Sequence, residues 1–150
     1  MGLLPSDFYN GTISKSTLTN TSTTTPELLK DYLIDLETGK PVISESGQFT
    51  ICTGLKAVIM QMWRKLHTNK GQFIIYSSTY GNTFSEFKGK GKSYADLYAY
   101  QKLVDCIVDK TYVTSISNFS TSLTNDKYIM SFTISTIYGD SSQVLSIDLE

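Results

Sequence analysis

The chain is poor in the residues that catalysis and strong electrostatics draw on. Its 150 residues include one histidine, one tryptophan, three prolines and two cysteines. Charged residues make up 18%, against roughly 25% in an average soluble domain. Lys+Arg 13 and Asp+Glu 14 leave a formal net charge of -1, so no broad positive field exists to hold a phosphate backbone or an anionic membrane. Nucleic acid is therefore not expected as a partner. No apolar run approaches the roughly 20 residues of a membrane-spanning helix, and "MGLLPSDFYN" lacks the basic start of a signal peptide. No membrane role is expected.

The lone His67 has no His or Cys at ligand spacing and no serine nucleophile motif nearby, so zinc and triad chemistry have nothing to build on. Neither a metal nor a cofactor is expected. Cys52 in "FTICTG" and Cys106 in "LVDCIVD" sit in apolar contexts far apart in sequence. They read as small buried hydrophobes rather than as a disulfide.

What is abundant is Ser, Thr, Asn and tyrosine, of which there are ten. Residues 10 to 25, "NGTISKSTLTNTSTTT", have too few apolar side chains to build a core. Residues 1–25 are thus expected as a polar Ser/Thr-rich arm, and 26–150 as a single domain of ordinary size. In the domain, Tyr32, Ile34 and Leu36 alternate with polar residues before the turn "ETGKP", which predicts a strand. Short strands are also expected at Val42 to Ser44 and in "GQFTICTG". Leu55, Val58, Ile59, Met62, Trp63 and Leu66 recur at the spacing of one helical face. His67 falls at the end of that helix, near the carbonyl end of its dipole.

"FIIYSSTYGN" follows, with Phe73 to Tyr76 predicted as an inner strand and Ser77 to Asn82 as the turn that ends it. "GKGKS" lies ahead of a helix, but no glycine stands five residues before Gly91, where a phosphate loop needs its first. A solvated lysine loop is expected there. Ser93 with Asp96 predicts a capping box for the second helix, and Leu97, Tyr100, Val104, Ile107 and Val108 its buried face. Asp105 and Asp109 are neighbours on that helix, but they fit an ordinary polar face as well as a catalytic pair. Beyond Asp109 the period becomes two. Tyr128, Met130, Phe132, Ile134, Thr136 and Tyr138 alternate with hydroxyls, and "LTND" and "YGDSS" bracket them as turns.

The expected fold is α+β: a small mixed, mainly antiparallel sheet, two helices on one face, and a C-terminal β-meander. The residues converge on no acid and base pair, so no catalytic residue is assigned and no enzyme is expected. Function is expected to lie in surfaces.

Four stretches in order, "DYLIDLETGKPVI", "TGLKAVIMQMWRKLHTNKGQFIIYSSTYGN", "LVDCIVDKTYVTSISNF" and "IMSFTISTIYGD", resemble the sheath initiators of contractile tails. These are short baseplate-wedge, lysozyme-like proteins, here of the branch found in prophages and phage-tail-like bacteriocins of Gram-positive bacteria. The resemblance covers about residues 31 to 140. It implies a protein made in the bacterial cytoplasm and built into the baseplate, where a ring of copies templates the first sheath ring by strand exchange. Its implied partners are the sheath protein, the baseplate wedge proteins and the tube or tube-initiator proteins.

Two strands are candidates to receive a sheath strand. One is the long strand carrying Tyr128, Met130, Phe132 and Ile134, if it is an edge. If that strand is central, the receiving edge is the last one, with Val144, Leu145, Ser146, Ile147 and Asp148, or an early one. Relatives carry an acidic-proline-arginine triplet after the second helix, and Asp109, Lys110 and Thr111 stand there, a candidate wedge contact. Tyr80 is a candidate loop contact. The readings kept beside this one are a tail-associated muramidase-like hydrolase and a baseplate adaptor that does not touch sheath.

Overall fold

A computed structural model describes residues 27–149, so the arm expected over residues 1–25 lies outside it. The fold is α+β and ends in a β-meander, as the change of period predicts. In chain order it comprises β1 (Lys30–Tyr32), β2 (Ile51–Thr53), α1 (Leu55–His67), a 3-10 turn (Phe84–Phe87), α2 (Gly91–Ile107), β3 (Val113–Thr124), β4 (Lys127–Thr136) and β5 (Gly139–Asp148). The strands form two antiparallel sheets, β1-β2 and β3-β4-β5, rather than one mixed sheet.

Local chemistry explains the meander. Asn125 and Asp126, both at positive φ (50° and 61°), fill the two-residue loop between Thr124 and Lys127. Asn and Asp tolerate that conformation, which gives the loop a twist matching the flanking strands. The second hairpin turns one step earlier than the alternation suggests. Thr136 pairs with Gly139, so Ile137 and Tyr138 form the loop and "GDSS" belongs to β5.

The inner face of the three-stranded sheet carries Val113, Ile116, Tyr128, Met130, Phe132, Ile134 and Leu145, packed against α1, α2 and the 3-10 turn. β4 lies between β3 and β5 and is paired along both sides. β4 is thus the central strand of its sheet. Tyr128, Met130, Phe132 and Ile134 belong to a central strand, so β4 is not an open edge, and their side chains are core.

α1 buries Val58, Met62 and Leu66 as its spacing predicts. α2 departs from its sequence reading at both ends of the argument. It starts at Gly91 with no side-chain cap, and Asp96 instead accepts hydrogen bonds from the hydroxyls of Tyr128 (2.7 Å) and Thr121 (2.9 Å). Its buried stripe is Ala95, Ala99, Leu103, Cys106 and Ile107, while Leu97 is 72% exposed and Tyr100 is exposed too. Small alanines let the helix backbone approach the sheet closely, whereas a stripe chosen by side-chain size selects the neighbouring face.

Two further expectations are corrected. The strand expected through Tyr32, Ile34 and Leu36 is paired with β2 only as far as Tyr32, and Ile34 makes an isolated bridge to Pro41. Phe73 to Tyr76 is not an inner strand. These residues form an exposed turn, with Ile74 103% exposed and no ladder partner among the described residues. A short apolar run specifies burial only if a neighbouring strand accepts it, and none does here.

Candidate functional site

β5 is the feature that distinguishes this sheet. It pairs with β4 through ten consecutive residues, Gly139 to Asp148, with no register shift. Among the described residues no strand pairs with its other side. Its side chains alternate. Leu145 is buried and Gln143 and Ile147 are half-buried on the inner face, while Ser142, Val144, Ser146 and Asp148 are exposed, Val144 at 71%. Every second backbone amide and carbonyl of such a strand points away from its neighbour and lacks a ladder partner.

The opposite edge, β3, is built differently. Its pairing with β4 shifts register between Val113 and Ser115 and again between Ser117 and Ser120, and Asn118 sits at φ 51°. Bulges of this kind twist an edge and interrupt its row of free groups. Of the two edges, β5 is the one with an unbroken template.

Two neighbouring hollows lie between β5 and the second half of α1, share Leu66, His67, Leu145 and Ser146 in their linings, and together form a groove beside the strand. One, about 260 Å³, is lined also by Leu36, Trp63, Phe132 and Val144. The other, about 340 Å³, is lined also by Asn82, Ile147 and Asp148. A segment laid along β5 thus meets both apolar and polar side chains. His67 lines this groove with its ring stacked on Trp63 at 4.1 Å and Nδ1 2.8 Å from the Trp63 carbonyl oxygen.

The other candidate residues lie elsewhere. Asp109 caps the turn after α2: its Oδ1 accepts the backbone N–H groups of Thr111 (2.9 Å), Tyr112 (2.8 Å) and Val113 (3.1 Å). Lys65 approaches its other oxygen at 4.0 Å. Lys110, at φ 64°, and Thr111 are exposed at the tip of that turn. Asp105 accepts a hydrogen bond from Gln101 at 2.8 Å. Tyr80 is half-buried and stacked on Tyr76 at 4.2 Å, and burial pushes its phenol pKa above the ordinary value.

Sequence reasoning missed how the Tyr80 loop is held. Buried Asn82 donates from its side-chain amide to the carbonyls of Leu66 (2.7 Å) and Thr68 (3.0 Å), and accepts from the Phe84 N–H at 3.0 Å. Gly81, at φ 104°, lies so close to the Thr68 carbonyl that a Cβ would stand 2.6 Å from it. The loop base is thereby locked while Ile74 and Ile75 project into solvent. A second apolar surface was also missed: Tyr32, Ile43, Phe49 and Ile51 are all exposed, with Tyr32 edge-on to Phe49 at 5.7 Å. Alternation marks these positions as strand residues but does not tell which face is covered.

An α+β domain with exposed apolar surfaces and a regular edge strand that has one ladder partner among the described residues suits assembly. Comparison with known families decides its class: residues 30–139 match the family described as contractile injection system sheath initiator. The chain belongs to that family. No curated protein matches the sequence. Membership makes the chain a structural component of a contractile injection system. In this sheath initiator the family match ends at Gly139, the first residue of β5. The edge strand itself therefore lies almost wholly outside the matched region.

Proposed function

We propose that this sheath initiator sits in the baseplate and receives the first ring of sheath through β5, by strand addition. The observation that carries the reading is the unbroken outer edge of β5 bordered by the groove against α1. Main-chain hydrogen bonds to the edge supply affinity, and alternate side chains entering the groove fix the register. Wedge and tube contacts fall to the surfaces left over: the Lys110–Thr111 turn, the Ile74–Ile75 loop beside Tyr80, and the apolar face of Tyr32, Phe49 and Ile51. No catalytic step is needed for this role. The Asp109 carboxylate, the natural candidate for a hydrolase, is occupied in holding its own turn.

The test must spare the core, because Leu145 and Leu149 on the same segment are buried. Replacing exposed Val144 and Ser146 together with lysine is expected to leave the fold intact and to blunt the edge, since charge on an edge strand opposes pairing. In particles assembled with the V144K/S146K protein, electron microscopy is expected to show complete baseplates without sheath. Normal sheath on those baseplates would count against the β5 reading and favour an adaptor that never touches sheath.

A further inference from the structure

The outer face of α2 takes no part in strand addition at β5, yet it is apolar at its middle, where the solvent side of a surface helix is ordinarily polar. Leu97 is 72% exposed and Tyr98 42%. With them runs a stripe of Lys90, Tyr94, Gln101 and Asp105, which follows the i, i+4, i+11, i+15 spacing of one helical face, with Leu97 at i+7. All are exposed except Tyr94, which is half-buried. We propose that this face pairs with the same face of a second copy of the chain, the two α2 helices lying antiparallel about a two-fold axis between Leu97 and Tyr98.

Three observations point to a second copy as the occupant. The first is charge. α2 has Lys90 at its N-cap and Asp105 in its last turn, with no acidic side chain in its first turn and no basic one in its last. A helix dipole favours the reverse, anions at the N-terminus and cations at the C-terminus. Beside an antiparallel copy the mismatch is relieved, because Lys90 lies at the carbonyl end of the other helix and next to the partner's Asp105.

The second is spacing. Lys90 and Asp105 stand equally far from the midpoint between Leu97 and Tyr98, about 11 Å along the axis at ~1.5 Å per residue. Tyr94 and Gln101 are also symmetric about that point. One two-fold axis therefore matches charge with opposite charge at both ends and sets Leu97 against Tyr98 at the centre, the self-complementarity that a contact between identical faces requires. Parallel pairing would instead set lysine beside lysine and aspartate beside aspartate.

The third is the character of the surface. The Tyr94 and Tyr98 rings pack on each other with centroids 4.7 Å apart, and the Lys90 ammonium lies 5.4 Å from the Tyr94 ring centroid. Aromatic side chains with an apolar body and a polar tip suit an interface centre. The formal net charge of -1 leaves little long-range repulsion between copies. A contact between two helices buries less than about 1,200 Å², the range of weak interfaces, so pairing is expected to depend on concentration.

Sedimentation velocity of the full-length chain, from micromolar to millimolar concentration, tests this without sheath, and its failure leaves the β5 reading standing. The parent is expected to show a monomer–dimer equilibrium. L97E is expected to weaken the dimer at least tenfold while unfolding in urea like the parent, because Leu97 is at the surface. K90E and D105K are each expected to weaken it several-fold, and K90E/D105K to restore it, since reversing both signs rebuilds both pairs. V144K/S146K is expected to dimerise like the parent. A chain that stays monomeric throughout would overturn the proposal, as would a dimer that L97E leaves unchanged or that V144K/S146K abolishes. A dimer lost in K90E and not recovered in K90E/D105K would overturn the antiparallel register.

Discussion

Asp96 shows how much of this fold turns on one polar side chain. It accepts hydrogen bonds from the hydroxyls of Tyr128 and Thr121 and from Lys92, and the Lys92 hydrogen bond, followed by that of Tyr128, holds its pKa below the ordinary 3.8. Asp96→Ala strands the hydroxyl of a fully buried tyrosine, and is expected to cost about 1–3 kcal/mol in urea denaturation. Tyr128→Phe removes only the hydroxyl, keeps the packed ring and leaves Asp96 its hydrogen bonds from Thr121 and Lys92, so its cost is expected to be smaller, about 1 kcal/mol.

The pH dependence follows from the signs. With its folded pKa depressed, Asp96 contributes stability that is complete above about pH 4 and is lost as pH falls through the folded value. Burial, with the facing carboxylate second, raises Tyr128 from 10.0 to about 12. Its contribution is complete below pH 10 and is lost as pH rises toward 12. Stability curves of D96A and Y128F measured across both limbs are expected to be flatter than that of the parent in the corresponding range. The two thiols follow similar reasoning: both are buried and free, and burial raises Cys106 to about 11. Both are expected to resist alkylation in the native protein and to react fully on denaturation.

At the scale of elements, neighbouring strands of one meander have opposite tolerances. β4 is central and lines the core, so Phe132→Ala is expected to cost about 3–5 kcal/mol in urea denaturation. Val144 on β5 is mostly exposed, and V144K/S146K is expected to change stability by less than about 1 kcal/mol while abolishing sheath docking. The Asn82 lock gives a third case. Gly81→Ala places a methyl against the Thr68 carbonyl at a positive φ, and is expected to destabilise the protein by several kcal/mol or to release the loop base. Loss of dispersion for the Thr68, Lys70 and Asn82 amide resonances relative to the core would distinguish local release from global unfolding.

For the whole molecule, the arrangement is that of a part made to be joined. One edge is bulged and the other regular, and exposed apolar residues stand on the Ile74–Ile75 loop, on the small sheet and on the outer face of α2. Purified protein is accordingly expected to show no peptidoglycan turnover in a cell-wall digestion assay. Turnover lost in D105N/D109N would instead point to the muramidase-like reading.

The sequence by itself determined the α+β class, the first helix, the turn at "LTND" and the alternation of the long strand, because each is a local pattern whose period or turn chemistry is written in consecutive residues. The family likeness was legible for the same reason. Tertiary structure alone decided which strand is central, that Ala95 and Ala99 rather than Leu97 and Tyr100 face the sheet, and that Phe73 to Tyr76 is left outside. Periodicity tells that a residue lies on a face, but burial depends on what another segment brings to that face. The candidate site is the clearest instance: Val144 to Asp148 were nameable from their alternation, yet whether a strand is an edge depends on which other strands pair with it.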